Sequence, residues 1–136
     1  MSESRWQVEH FGLAAKDPTA LHAWYVRVLD GKLLWSDESV PVYFVRLPGG
    51  FVFEIYPSGR STDEVKDNGV AGHRHLALRV ESIEEVKPQL AERGVDFIED
   101  SKPAGGGGTV QFFADAEGNL IHLVERPADS AFATVS

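Results

Sequence analysis

The sequence predicts an α+β fold in which one module, a strand, a helix and three strands, is built twice. Two observations carry that prediction. Apolar residues recur at helical spacing in two segments only, and elsewhere they fall in short strand-like runs separated by turn residues. The halves also match each other in sequence. His10-Phe-Gly-Leu-Ala stands against His75-Leu-Ala-Leu-Arg, and Gly50-Phe-Val-Phe-Glu54-Ile-Tyr-Pro against Gly118-Asn-Leu-Ile-His122-Leu-Val-Glu. A three-residue insertion in one loop reconciles the spacing, and such a repeat reads as an internal duplication. At 136 residues the chain has room for two such modules sharing one core.

In the first half, Val8 to Ala14 reads as a strand. Asp17 is the expected helix N-cap, with Pro18 at the first helical position. From Ala20 to Leu29 the residues Leu21, Trp24, Tyr25, Val28 and Leu29 form one apolar face, and Asp30-Gly31 ends the helix with Gly31 as the left-handed cap. Strands are expected at Lys32 to Ser36, Val42 to Leu47 and Phe51 to Tyr56, the last two joined by the Pro48-Gly49-Gly50 turn. Residues 58–72 are polar and aperiodic and read as a linker with room for one short helical turn.

The second half repeats this order. A strand runs from His75 to Val80, and Ser82 with Glu85 forms a capping box for a helix to about Arg93. Ile83, Val86, Leu90 and Ala91 make its apolar face, and Gly94 ends it. Strands follow at Asp96 to Ile98, Thr109 to Phe113 and Asn119 to Glu125, with a flexible loop at Gly105 to Gly108 and a turn at Asp115 to Gly118. The tail after Pro127 is expected to fray. The modules thus span about 8–57 and 73–126 of a single domain.

Composition excludes several classes. Hydrophobic residues make up 43%, too many for a disordered chain. A net charge of −8 argues against nucleic acid or an anionic membrane surface as partner. No apolar run approaches the roughly 18 residues needed to span a bilayer. The N-terminal stretch also lacks the basic start and apolar core of a signal peptide, so a cytoplasmic location is expected. With no cysteine, any metal must be held by nitrogen and oxygen.

The duplication singles out four residues. Equivalent positions in paired modules surround a pseudo-twofold axis, so metal-type side chains there converge. His10 and His75 open the first strand of each module, while Glu54 and His122 lie in the last. Strand alternation puts Val52, Glu54 and Tyr56 on one face and Phe53 and Ile55 on the other. Likewise Leu120, His122 and Val124 share a face, as do His75, Ala77 and Arg79. The opposite, strongly apolar faces should pack against the helices, which leaves the ligand faces to line a concave, partly solvated cavity. Imidazole with carboxylate suits Mn, Fe, Co, Ni or Zn and disfavours Ca or Mg.

Other candidates are weaker. His73, two residues before His75, is a substrate contact or an outer-shell group if the strand already runs there. Arg79 and Tyr56 are the best substrate-contact candidates, since an arginine in a cavity calls for an anionic partner, either a substrate carboxylate or phosphate or the acid of a structural salt bridge. Tyr43 and Arg46 alternate, so at most one faces the cavity. His22 lies off the helix's apolar pattern and is expected to face solvent. Glu125 faces away from His122 and is not counted as a ligand. The tetraglycine loop is either a plain flexible connection or a lid.

These motifs together resemble the vicinal oxygen chelate superfamily, which includes glyoxalase I, extradiol dioxygenases and fosfomycin- and bleomycin-resistance proteins. The resemblance rests on the Trp24-Tyr25 helix with Leu29-Asp30-Gly31 after it, Phe53-Glu54-Ile55-Tyr56-Pro57-Ser58-Gly59, His75-Leu-Ala-Leu-Arg-Val and Asp115-Ala-Glu-Gly-Asn-Leu-Ile-His122-Leu-Val, and it covers 8–126. It implies paired βαβββ modules forming a cup-shaped, glyoxalase-like mixed sheet with helices outside. It also implies a divalent transition metal on His10, Glu54, His75 and His122, a small-molecule substrate and a homodimer. Many members carry Glu in the Ile-Glu-Leu context where this chain has Ile121-His122-Leu123, so the site here carries one more unit of positive charge. The leading functional expectation is a metal-dependent lyase or isomerase that stabilises an enolate-type intermediate, with Glu54 as base. An Fe(II) dioxygenase and a small-molecule binding or resistance protein are the alternatives.

Overall fold

The computed structural model describes residues 4–60 and 62–132, and the chain divides into two units, Met1–Ser61 and Thr62–Ser136. The first unit runs β1 (Phe11–Ala15), α1 (Pro18–Val28), β2 (Lys32–Asp37), β3 (Val42–Arg46) and β4 (Val52–Pro57). Its sheet has the order β1-β4-β3-β2, with β1 parallel to β4 and the other pairs antiparallel. Asp17 caps α1 as expected, its carboxylate accepting from the Ala20 N–H at 3.0 Å, and Pro18 leads the helix. Leu21, Tyr25 and Val28 are buried on one side of α1, which packs on β3 and β4. The alternation along those strands holds. Tyr43, Val45, Phe53 and Ile55 are buried, while Val42, Phe44, Val52 and Glu54 on the opposite face are only partly covered. Burying a side chain such as Ile55 contributes about 1.5–3 kcal/mol, which holds this unit's sheet to its helix.

Three expectations for this unit are corrected. β1 begins at Phe11, so His10 precedes the strand and does not lie within it. Asp30, with φ 58°, takes the left-handed turn assigned to Gly31. Gly31 is needed for a different reason: a Cβ there would sit 2.7 Å from Val45 Cγ1 and 2.9 Å from the Tyr25 carbonyl oxygen. His22 does not face solvent. Its ring stacks on Tyr43 with centroids 3.8 Å apart, and its Nδ1 is buried with no hydrogen-bond partner among the described residues.

The second unit opens with a single 3₁₀ turn, Asp63–Lys66, the short helical turn expected between the modules. It continues β5 (His75–Arg79), α2 (Ile83–Glu92), β6 (Lys102–Pro103), β7 (Thr109–Ala114) and β8 (Leu120–Glu125). The sheet order is β5-β8-β7-β6, with β5 parallel to β8, so the topology of the first unit is reproduced. Ser82 caps α2 through the Glu85 N–H at 3.2 Å. Glu125 adds a second cap, its Oε1 accepting from the Ile83 N–H at 2.8 Å. That contact gives Glu125 a structural role on the face away from His122.

Here too the structure departs from expectation. Asp96–Ile98 is not a strand. It makes one backbone bond to β7, from Ile98 N–H to the Phe112 carbonyl at 3.0 Å, and the sheet edge is the two-residue β6. The buried Gln111 explains this, because its side-chain amide donates to the Glu99 carbonyl and its oxygen accepts from Lys87 Nζ. A side chain thus takes the place of ladder bonds. Ala91 is exposed, whereas Ile83 and Leu90 are the buried residues of α2.

The tetraglycine loop is pinned. Arg126 Nη1 donates to the carbonyls of Gly105 (2.6 Å) and Gly107 (2.7 Å). The tail also folds back in its described part, with the Phe132 ring 4.2 Å from the Arg126 guanidinium carbon, while residues 133–136 lie outside the described residues. Among the described residues no helix is long and apolar enough to cross a membrane.

Candidate metal centre

In the first unit the parallel pairing of β1 with β4 brings His10, just ahead of β1, to Glu54 in β4. The two side chains approach at 3.4 Å between His10 Nε2 and Glu54 Oε1, each about one-third exposed. Phe44 is the cross-strand neighbour of Glu54, and its ring meets the His10 imidazole edge-on at 5.2 Å. The second unit repeats the pattern with different chemistry. His75 opens β5, His122 lies in β8, and their ring centroids are 4.7 Å apart. Phe112 is the cross-strand neighbour of His122 and meets His75 edge-on at 5.7 Å. The duplication therefore extends beyond the four ligand candidates to the aromatic residue that walls each pair.

Protons are disposed alike on the three histidines. His10 Nδ1 is 2.9 Å from Glu9 Oε1, His75 Nδ1 is 2.8 Å from Asn68 Oδ1, and His122 Nδ1 is 3.2 Å from the Leu123 carbonyl oxygen. Carboxylate, amide and carbonyl oxygens can only accept, so each Nδ1 carries hydrogen, and in the neutral form of each ring the lone pair is on Nε2. That is the arrangement of metal-ligating histidines, whose far nitrogen is held by an oxygen acceptor. His122 is buried at 7% exposure, and its pKa is lowered, first by that burial and then by the charge of neighbouring His75. Both effects favour the neutral ring.

The donor set also fits in spacing. Two nitrogen or oxygen donors on one transition ion, each at about 2.0–2.2 Å, lie about 3.0–3.5 Å apart. The His10–Glu54 separation falls in that range. Among the described residues no group of three or more His, Asp or Glu side chains is gathered, so the structure presents two pairs.

The remaining candidates fall as follows. Tyr56 is on the Glu54 face, 37% exposed, with its ring over Gly12. Arg79 is exposed on the His75 face of β5. His73 precedes β5 and is exposed, its carbonyl accepting from Arg74 Nε at 2.9 Å. Of Tyr43 and Arg46, the tyrosine is buried against α1 and the arginine lines an open cleft of about 690 Å³ beside His10. The expected solvation of the ligand face holds for the first unit. In the second it fails, because His122 shares its face with a buried cluster of Val110, Phe112, Leu120 and Val124.

Sequence reasoning did not find Glu9, Asn68, Phe44 or Phe112. The two phenylalanines had a signal, since each stands ten residues before the last-strand ligand candidate of its half. Asn68 had none, lying in an aperiodic polar stretch.

Two copies of one βαβββ module, each carrying a histidine-containing pair at matched positions, define the class of protein. The Glyoxalase/Bleomycin resistance protein/Dioxygenase superfamily matches residues 7–123, and the chain belongs to that superfamily. The resemblance to vicinal oxygen chelate proteins is thereby borne out. Solved structures with this fold include a glyoxalase family protein from Enterococcus faecalis, 28% identical, with a TM-score of 0.69 over 88% of this chain and 97% of that one. A glyoxylase/bleomycin resistance protein/dioxygenase domain from Frankia sp. EAN1pec is 24% identical, with a TM-score of 0.66 over 91% and 100%. The fosfomycin resistance protein FosX of Listeria monocytogenes, in a mutant form complexed with Mn(II) and 1S,2S-dihydroxypropylphosphonic acid, is 18% identical, with a TM-score of 0.65 over 93% of each chain. No curated protein matches the chain.

Proposed function

We propose that this protein is a divalent-metal-dependent lyase or isomerase acting on a small substrate with neighbouring oxygen atoms. The reading rests on one observation: three histidines, two of them at matched positions in the repeat, hold Nδ1 against an oxygen and present Nε2. His10, Glu54, His75 and His122 are the candidate ligands for Mn, Fe, Co, Ni or Zn. A homodimer is the protein's proposed working form. The Mn(II) complex of the Listeria protein supports an ion from that series. When bound, such an ion supplies Lewis acidity toward a substrate carbonyl.

The chain's own residues supply the rest. Glu54 is the one carboxylate of the set and the candidate base, set to hold a proton taken from the carbon beside that carbonyl. Tyr56, on the same face, offers a neutral hydroxyl donor. Arg79 and His73 are assigned to substrate on the second unit's side.

The test is elemental analysis of protein purified without added metal, beside His75→Ala and Glu54→Gln. About one equivalent of a transition metal, lost in His75→Ala, is expected. Glu54→Gln should abolish turnover far more than metal content, and equal loss of both would count against the assignment of the base. Oxygen consumption that depends strictly on Fe(II) would transfer the chain to the dioxygenases.

A further inference from the structure

We infer that the cleft of the first unit selects an aromatic acid, a substrate whose flat ring sits on Trp35 and Phe44 and whose anionic group meets Arg46. This deepens the proposal above and rests on its reading of His10 and Glu54. The cleft, about 690 Å³, lies within the size range of small-molecule sites and is walled by His10, Leu34, Trp35, Phe44, Arg46 and Val52. Trp35 is the cross-strand neighbour of Phe44, their rings 6.0 Å apart, and Phe44 in turn abuts His10. A continuous aromatic wall therefore leads from an indole that is 56% exposed to the ligand pair.

Arg46 is the cation that lines the cleft, and Lys32 is its cross-strand neighbour on β2. The Arg46 side chain is exposed and makes no hydrogen bond or ion pair with any described residue. Glu9, the acidic residue of the cleft, is tied to His10 Nδ1. Arg46 stands two residues beyond Phe44 on β3, about 7 Å along the strand from the level of Glu54. An acid group on Arg46 and a pair of oxygens at the ligand pair thus fit the two ends of one small aromatic molecule.

The second unit shows that this is a particular feature of the first half. At the place of Arg46 the repeat has Ala114. The counterpart of Phe44, Phe112, is buried, with the Lys102 ammonium 5.0 Å from its ring centroid. Duplication supplied both halves with a ligand face, and only the first keeps an open aromatic surface with an unpaired cation.

The experiment is calorimetric titration of the full chain, metal-free and Zn(II)-loaded, with 3,4-dihydroxyphenylacetate and its uncharged amide. The acid should bind about tenfold more tightly than the amide, the discrimination expected of one charge-assisted hydrogen bond. Arg46→Gln should bring the two within about twofold of each other. Trp35→Leu should weaken both alike by about fivefold, as loss of an aromatic contact does. Equal binding of acid and amide by the parent chain, or discrimination that survives Arg46→Gln, would overturn the inference. Zinc uptake measured on the same samples separates the two readings. Absence of bound zinc defeats the metal centre, while the acid preference of the metal-free chain still reports on the cleft alone.

Discussion

Replacing Asn68, a residue that the metal proposal leaves out of the ligand set, gives a sharp test of that proposal. Its side-chain oxygen accepts the His75 Nδ1 proton at 2.8 Å and so fixes both the ring's orientation and its tautomer. Asn68→Ala leaves every proposed ligand in place and removes only that support. Loss of such a partner costs a metal site about 10- to 100-fold in affinity. Asn68 is exposed, so water can take over part of its role, and the low end is expected: about tenfold, or about 1.4 kcal/mol. Asn68→Asp keeps an acceptor and makes it an anion, so its affinity should equal or exceed that of the parent chain. The assay is competition for Zn(II) or Co(II) against a chromophoric chelator, with far-ultraviolet circular dichroism to confirm folding. Parent-like affinity in Asn68→Ala would refute the tautomer argument, as would an equal loss in Asn68→Asp. Glu9→Ala should act in the same direction on His10 but less, since the Glu9 side chain is 86% exposed.

Three further outcomes follow. The pKa of His122 lies below the ordinary 6.5, through burial and then the charge of His75, so below that pH the unfolded chain binds the extra proton more readily. Stability of the metal-free protein from this group is therefore complete above pH 6.5 and lost as pH falls through the depressed folded value. Urea midpoints between pH 7.5 and 5 should show it, and a slope unchanged in His122→Leu would count against it. Gly108→Ala should destabilise by about 2–4 kcal/mol, because φ is 106° and the new Cβ would collide with the Glu125 carbonyl; a thermal midpoint like the parent's would contradict that. Arg126→Ala should release the tetraglycine carbonyls and speed amide exchange at 105–108, and unchanged exchange there would show that the loop is held by something else.

Most of the architecture was legible because local and long-range signals agreed. Asp17-Pro18 and Ser82 mark helix starts by hydrogen-bond chemistry that needs no tertiary context, and both caps form as read. Alternation along β4 marks its two faces for the same kind of reason. The misreadings share another origin. Asp96–Ile98 has strand-like residues, but whether it pairs depended on Gln111, a side chain on a strand that comes later in sequence. His22 lies off the helix's apolar stripe, and only the stacking of Tyr43 draws it inward. Four consecutive glycines imply freedom in any unfolded chain, and it took Arg126, nineteen residues beyond Gly107, to remove it. The pairing of His10 with Glu54 and of His75 with His122 was legible because duplication wrote those positions twice. Asn68 and Glu9 were not, because a side chain that need only reach a ring nitrogen obeys no sequence period.

The two halves have diverged in a direction with chemical consequences. In the first, His10 faces a carboxylate, and the pair is about one-third exposed beside an open cleft. In the second, His75 faces another histidine, and His122 is buried on a wall of Val110, Phe112, Leu120 and Val124. Burial and the neighbouring His75 both disfavour protonation of His122, and this pair contains no carboxylate. The first half holds the one carboxylate of the candidate set, and its pair is the one beside an open cleft. Exchange at the divergent position tests this division. His122→Glu would place a second carboxylate among buried apolar neighbours, where its charge is costly unless an ion neutralises it. The substitution should therefore make folding stability depend more steeply on added Zn(II) than in the parent chain. It should also leave proton transfer dependent on Glu54, so that Glu54→Gln in this background stays inactive. Recovery of turnover in the double variant would show that the halves are interchangeable and that the cleft does not determine which carboxylate acts.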